Sequence, residues 1–117
     1  MVEMMRRGEI WTANLNPNKG GEIGKVRPVA ILQDDGIIAT GLATVLIAPL
    51  TGQFRPAFAP LRVRVAARNR LTQDCFVMVE HLRALDRSRF GEGPLATLTA
   101  EEMAAVEKSL RGVMGLL

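Results

Sequence analysis

Three short stretches of this sequence set chemistry-bearing side chains where an apolar run begins or breaks off. Arg27 stands between a glycine-containing loop and Pro28, ahead of Val29-Ala30-Ile31-Leu32. Thr51 follows Pro49-Leu50 and precedes Gly52, and Glu80-His81-Leu82-Arg83 interrupts the apolar stretch that ends at Val79. A guanidinium forks onto phosphate or carboxylate oxygens, a hydroxyl both donates and accepts, and a carboxylate or imidazole moves protons. At the ends of neighbouring strands such groups can face one pocket while the sheet holds them rigid. Each also has a plainer use. An arginine before proline is often a surface or ion-paired residue. A threonine after a strand usually bonds its own turn, and a histidine is more often structural than a base. Residue types alone stop at a small basic domain.

The elements that must position these residues follow from periodicity. Residues 10–15 alternate, with Trp11, Ala13 and Leu15 on one side and Ile10, Thr12 and Asn14 on the other, a half-buried strand. Asn16-Pro17-Asn18-Lys19-Gly20-Gly21 is a turn signal, and the loop it opens runs to about Val26. Proline biases the preceding residue toward extended backbone, so Arg27 is expected at a strand mouth, with Pro28 heading a buried strand. Residues 44–50 form the next strand, where Pro49 is expected to end regular pairing. Residues 52–60 form an irregular loop stiffened by Pro56 and Pro60. Leu61-Arg62-Val63-Arg64-Val65 alternates, with both arginines opposite the core. Residues 76–79 and 83–85 are two more short strands. Then the period changes. Thr99 and Glu102 make a capping box, with Leu98 and Met103 set for a hydrophobic staple. Met103, Val106, Leu110, Val113 and Leu117 form one apolar helical stripe, weakened near its end by Gly112 and Gly115. The fold class expected is α+β: a small, SH3-like, strongly bent antiparallel sheet or partly open barrel carrying a C-terminal amphipathic helix.

Composition narrows the function. At 117 residues the chain fits one domain, residues 1–117, and 48% apolar content suffices for a core without staples. The single cysteine, Cys75, excludes an internal disulfide framework and fits a reducing compartment; it reads as a small buried residue. With His81 the only histidine, a Cys/His zinc site is excluded, and no metal or other cofactor is expected. No apolar run follows Arg6 and Arg7 as a secretory leader would require. The uncharged stretch 36–54 approaches the ~20 residues of a membrane span, but Thr40, Gly41, Thr44, Pro49 and Thr51 interrupt it, so it reads as a loop and a buried strand. A soluble, cytoplasmic protein is expected. The net charge of +3 is modest, yet residues 55–89 hold eight arginines against Asp74, Glu80 and Asp86. That is either a solvated basic face or a phosphate-binding one.

Four motifs in order carry a resemblance. Arg7-Gly8-Glu9-Ile10-Trp11 with Asn16-Pro17, then Lys19-Gly20-Gly21-Glu22 leading to Arg27-Pro28-Val29, then Pro49-Leu50-Thr51, and finally 71–74 with 77–86 resemble the MazF/PemK family of growth-arresting toxin endoribonucleases. The likeness covers roughly residues 5–90, and the terminal helix fits it. It implies an SH3-like barrel, a homodimer, and metal-independent cutting of single-stranded mRNA at short sequences. In that chemistry the RNA 2′-hydroxyl attacks the adjacent phosphate, leaving a 2′,3′-cyclic phosphate and a 5′-hydroxyl. By resemblance Arg27 is the catalytic arginine. A guanidinium stays protonated in proteins and is a poor base, so its first task is the charge of the phosphorane and its second the leaving oxygen. Thr51 matches the catalytic threonine, and Glu80 falls where relatives carry an aspartate sometimes given the base role.

The same likeness makes Lys19, Glu22, Lys25, Gln53, Phe54, Arg55, Phe58, His81 and Arg83 candidates for RNA binding. Phe54 and Phe58 offer stacking faces with Arg55 between them, as single-stranded RNA recognition uses; Trp11 reads as core. Gly21 stands where some relatives have histidine, His81 replaces a common glutamine and Ala84 a common threonine, departures that bear on which bases are read. The implied inhibitor is a cognate acidic antitoxin whose disordered C-terminal segment folds into the groove. Two other readings compete: a CcdB-like DNA gyrase poison, and a non-catalytic barrel that binds RNA or peptide. The first resembles proteins with a C-terminal tryptophan-bearing hook, and this chain has no tryptophan there.

Overall fold

A computed structural model describes residues 5–116. In chain order the elements are β1 (Glu9–Asn14), β2 (Val26–Ile31), α1 (Asp35–Ala39), β3 (Thr44–Thr51), β4 (Arg62–Val65), β5 (Cys75–Met78), β6 (Arg83–Asp86), β7 (Ala96–Thr97) and α2 (Ala100–Met114). Single 3-10 turns at Pro56–Phe58, Val79–His81 and Arg87–Arg89 punctuate the second half. All strands join one antiparallel sheet in the order β4-β5-β3-β2-β1-β7, with β6 on β3.

The long strand β3 makes the sheet curl. Its first half pairs with β6, Thr44 against Asp86 and Ile47 against Arg83, whereas Leu50 and Thr51 pair with Val77 and Phe76 of β5. The change of partner falls at Ala48-Pro49. Proline has no N–H to donate, so it is tolerated where one ladder lapses. On the other edge Pro49 still sits in register with Val29. Pro49 therefore marks a change of neighbour rather than the end of pairing. The result is a strongly bent, half-closed barrel.

Burial divides by parity along each strand. Ile10, Ala30, Ala48, Leu50, Val65 and Val77 form one core with Val106 of α2. Trp11, Ala13, Val29, Ile31, Val45, Ile47 and Leu85 form a second on the opposite face, closed by Ile38 of α1. Strand β1 is thus apolar on both sides at its start: Ile10 is fully buried, because α2 covers the face the alternation leaves to solvent. Trp11 is core, and its ring packs so tightly on Gly93 that a Cβ there would lie 2.1 Å from indole Cδ2.

Helix α2 begins as its sequence dictates. Thr99 Oγ1 accepts from the Glu102 amide at 3.0 Å, and Glu102 Oε1 accepts from the Thr99 amide at 2.8 Å. Leu98, Met103, Val106 and Leu110 pack on the first core, while Val113 is exposed and Leu117 lies outside the described residues. Gly115 adopts φ +71° and returns the Leu116 amide to the Arg111 carbonyl at 2.8 Å, so it caps the helix instead of weakening it. The placement of Arg27 and Pro28 also needs correction. Strand β2 starts at Val26, so Arg27 and Pro28 lie inside it rather than at its mouth. Pro28 is accommodated because β3 pairing begins only at Val29, leaving β1 as its sole neighbour. Helix α1 and the two-residue β7 were not anticipated, being too short for periodicity to register.

Candidate active site

The loop between β1 and β2 is folded on itself. Asn16 Oδ1 accepts from the Lys25 amide at 2.9 Å, and Glu22 Oε1 accepts from the Lys19 amide at 2.8 Å. Gly24 passes so close to Asn18 that a Cβ would lie 2.4 Å from Oδ1. Arg89 donates to the carbonyls of Asn14 and Asn16, tying the loop to the barrel. That order delivers Arg27. Its Nε donates to the Gly24 carbonyl at 3.2 Å and its Nη1 to the Leu50 carbonyl at 3.3 Å. Two carbonyls fix the guanidinium without neutralising it.

Thr51 closes β3 beside it. Its Oγ1 accepts from the Gln53 amide at 3.2 Å, the turn bond expected of such a threonine, and the hydroxyl hydrogen stays available for a ligand oxygen. Gln53 in turn accepts from Arg55 Nη2 at 2.9 Å. Arg27, Thr51 and Gln53 line one cleft of about 280 Å³ with Ile23, Lys25, Gly52, Arg55, Arg62 and Met78. Its charged lining groups are Lys25, Arg27, Arg55 and Arg62, all cationic. Among the described residues, Lys25, Arg27 and Arg55 form no ion pair with a carboxylate. The cleft presents positive charge and hydrogen-bonding groups to an anion.

Glu80 is not in it. With Glu22, Ile23, Pro49, His81, Leu82 and Arg83 it lines an adjoining hollow of about 240 Å³. Glu80 Oε2 accepts from Arg62 Nε at 2.8 Å and Nη2 at 2.6 Å, whereas Oε1 is buried with no donor among the described residues. His81 Nε2 stands 3.9 Å from the same Oε2. Phe54, Arg55 and Arg62 line a third hollow with Phe76, whose ring lies 5.5 Å from that of Phe54. Phe58 lies beneath the Arg62 guanidinium, 4.6 Å from ring centroid to Cζ. On the other side of Arg27 a hollow of about 400 Å³ is lined by Arg70, Thr72, Gln73 and Cys75.

Most of the other arginines serve the fold. Arg64 pairs with Asp74, Arg68 with Glu102 and Arg70 with Glu92, while Arg87 donates to the carbonyls of Ile38 and Leu42. The Ala67 amide and then Arg64 hold the Asp74 carboxyl below its usual range. Burial pushes Glu102 up, but hydrogen bonds from Arg68 and Thr99 outweigh it and leave the carboxyl lowered. Burial, with Asp74 nearby, pushes the Cys75 thiol up, which keeps it protonated and inert. No group of three or more His, Cys, Asp or Glu suited to a metal ion occurs among the described residues.

A family profile described as PemK-like, MazF-like toxin of type II toxin–antitoxin system matches residues 6–114. The chain belongs to this family. It is 35% identical to endoribonuclease MazF of Staphylococcus saprophyticus, over 97% of this chain and 93% of that protein. Its fold matches the crystal structure of MazF from Deinococcus radiodurans with a TM-score of 0.83 and 25% identity, over 97% of this chain and 99% of that one. A MazE–MazF crystal structure from the same organism matches at TM-score 0.78 and 24% identity, over 98% and 100% of the two chains.

Within this family's fold, the cleft gathers Lys25, Arg27, Thr51, Gln53 and Arg55. Glu22, Glu80, His81 and Arg83 lie together in the adjoining hollow, with Ile23 common to both. Lys19 sits out on the loop and lines none of these hollows. Sequence reasoning missed Arg62. Alternation put it and Arg64 on one face, but Arg64 is 60% exposed while the Arg62 side chain is 9% exposed. Nothing in Leu61-Arg62-Val63-Arg64-Val65 separates the two; only the partners at 58 and 80 do.

Proposed function

We propose that this chain is an endoribonuclease toxin that cuts single-stranded mRNA at short sequences, leaving a 2′,3′-cyclic phosphate and a 5′-hydroxyl. One observation carries the reading: Arg27 and Thr51 share a cleft whose charged groups are all cationic. A phosphodiester seated there puts its non-bridging oxygens against the Arg27 guanidinium and the Thr51 hydroxyl. As the 2′-oxygen forms its bond to phosphorus, the phosphorane gains charge, and fixed donors in a partly buried cleft stabilise it more than mobile water does. The bond from phosphorus to the 5′-oxygen then breaks, and that oxygen leaves with a proton, which Arg27 is placed to assist. Among the described residues no carboxylate or imidazole lines the cleft, so the 2′-hydroxyl proton passes to a phosphate oxygen or to water. The route needs no metal.

The working unit we propose is a cytoplasmic homodimer. Its inhibitor is a cognate acidic antitoxin whose disordered C-terminal segment lies in the cationic cleft; the likeness to a MazE–MazF structure of Deinococcus radiodurans supports an antitoxin partner. The reaction is tested with an RNA carrying a 2′-O-methyl group at the cleaved nucleotide. It should bind and stay intact while the unmodified RNA is cut. Cutting of the blocked strand would overturn attack by the 2′-oxygen.

A further inference from the structure

We propose that Arg62 is a second phosphate-contacting cation of the cleft and that Glu80 is the residue that positions it, not the proton acceptor. This rests on the ribonuclease reading above. Pairing of β4 with β5 sets Arg62 opposite Met78, and the turn Val79–His81 follows at once, so two adjacent strands bring residues 62 and 80 together. The guanidinium is then gripped on two sides. Nε and Nη2 both donate to Glu80 Oε2, and the Phe58 ring covers its face. The side chain is only 9% exposed, yet it lines the cleft that holds Arg27 and Thr51. An arginine anchored through Nε and Nη2 has Nη1 left to donate.

The same geometry argues against Glu80 as base. A general base must come within hydrogen-bond reach of the proton it takes. Oε2 already accepts two charge-assisted bonds, and Oε1 is buried. A carboxylate so occupied fixes a neighbour's orientation, as supporting groups do for a ligand-binding shell.

The test uses purified full-length protein and Arg62→Met, Glu80→Gln and the double variant. Arg62→Met alone leaves the Glu80 carboxylate buried and unpaired, which destabilises the fold, whereas the double variant removes both charges; thermal melts report which variants fold. Affinity for a 2′-O-methyl RNA is measured as a function of salt. Each phosphate contact adds about 0.7 to the slope of log affinity against log salt for a single strand. We expect the double variant to lose about 0.7 of that slope and to raise KM about tenfold, with a smaller change in kcat. Glu80→Gln should raise KM in the same sense. A folded double variant with wild-type slope and KM would overturn the proposal. So would a kcat collapse in Glu80→Gln with affinity unchanged, which is the signature of a lost base. If wild type cuts no RNA, the ribonuclease reading fails on its own, while the salt slope still reports whether Arg62 touches phosphate.

Discussion

Arg27 and Arg68 are two arginines of one small barrel, and they are held in different ways. Arg68 donates to both carboxylate oxygens of Glu102 and to the carbonyls of Ala66 and Thr97, bolting the start of α2 to the sheet. Arg27 is held by the carbonyls of Gly24 and Leu50 alone. Arg68 lines none of the hollows, so its carboxylate partner makes it a structural tie; Arg27 lines the cleft, and its carbonyl partners fix its orientation and leave its charge for a ligand. The first kind is lost as stability and the second as function.

The largest expected effect is on Arg27. Arg27→Ala should lower kcat by about 10²–10³-fold, the cost of removing one donor to a developing oxyanion, with an unchanged melting temperature. Kinetics and thermal melts on one preparation check both halves. Thr51→Val removes one hydroxyl donor and the acceptor for the Gln53 amide, and a loss at the low end of that range, about 10²-fold in kcat, is expected. Both variants should still bind 2′-O-methyl RNA.

Arg68→Met should show the opposite pattern. Breaking a fully buried pair costs about 3–5 kcal/mol; with side chains 25% and 15% exposed, the Arg68–Glu102 tie should cost less, about 1–3 kcal/mol in urea unfolding. Activity per folded molecule should hold. Loss of activity in folded Arg68→Met would break the division drawn here.

Acid sharpens the same contrast. Glu102 and Asp74 have carboxyls lowered in the folded state, so the stability they contribute is present above the ordinary carboxylate pKa. It drains away as pH falls through their lowered folded values. Melting temperature should therefore drop below about pH 4, and Glu102→Gln should flatten part of that drop. Smallest of all, Arg64→Ala removes an exposed, solvent-screened pair with Asp74 and should leave the urea-unfolding midpoint nearly unchanged.

Much of the fold was legible because its signals are local. Period-two runs marked β1 and β4, an uncharged β-branched run marked β3, and Thr99 with Glu102 marked the start of α2. Helix α1 hid because Asp35–Ala39 is a single turn containing Gly36, and β7 because two residues carry no period. The site was legible in its residues but not in its assembly. Arg27 and Thr51 meet because Val29 pairs with Pro49, a register no spacing prints; family likeness supplied what periodicity lacked. Arg62 was illegible for a related reason. Alternation assigns a face, and only tertiary packing decides whether Phe58 and Glu80 or water covers it.

We propose that an uncompensated Arg27 in a cationic cleft drives metal-free RNA cleavage. The direct measurement incubates purified protein with a long unstructured RNA in EDTA and sequences the fragment ends. Discrete cuts at one short sequence are expected, with 5′-hydroxyl and 2′,3′-cyclic phosphate ends, lost in folded Arg27→Ala. Intact RNA, or undiminished cutting by folded Arg27→Ala, would contradict it.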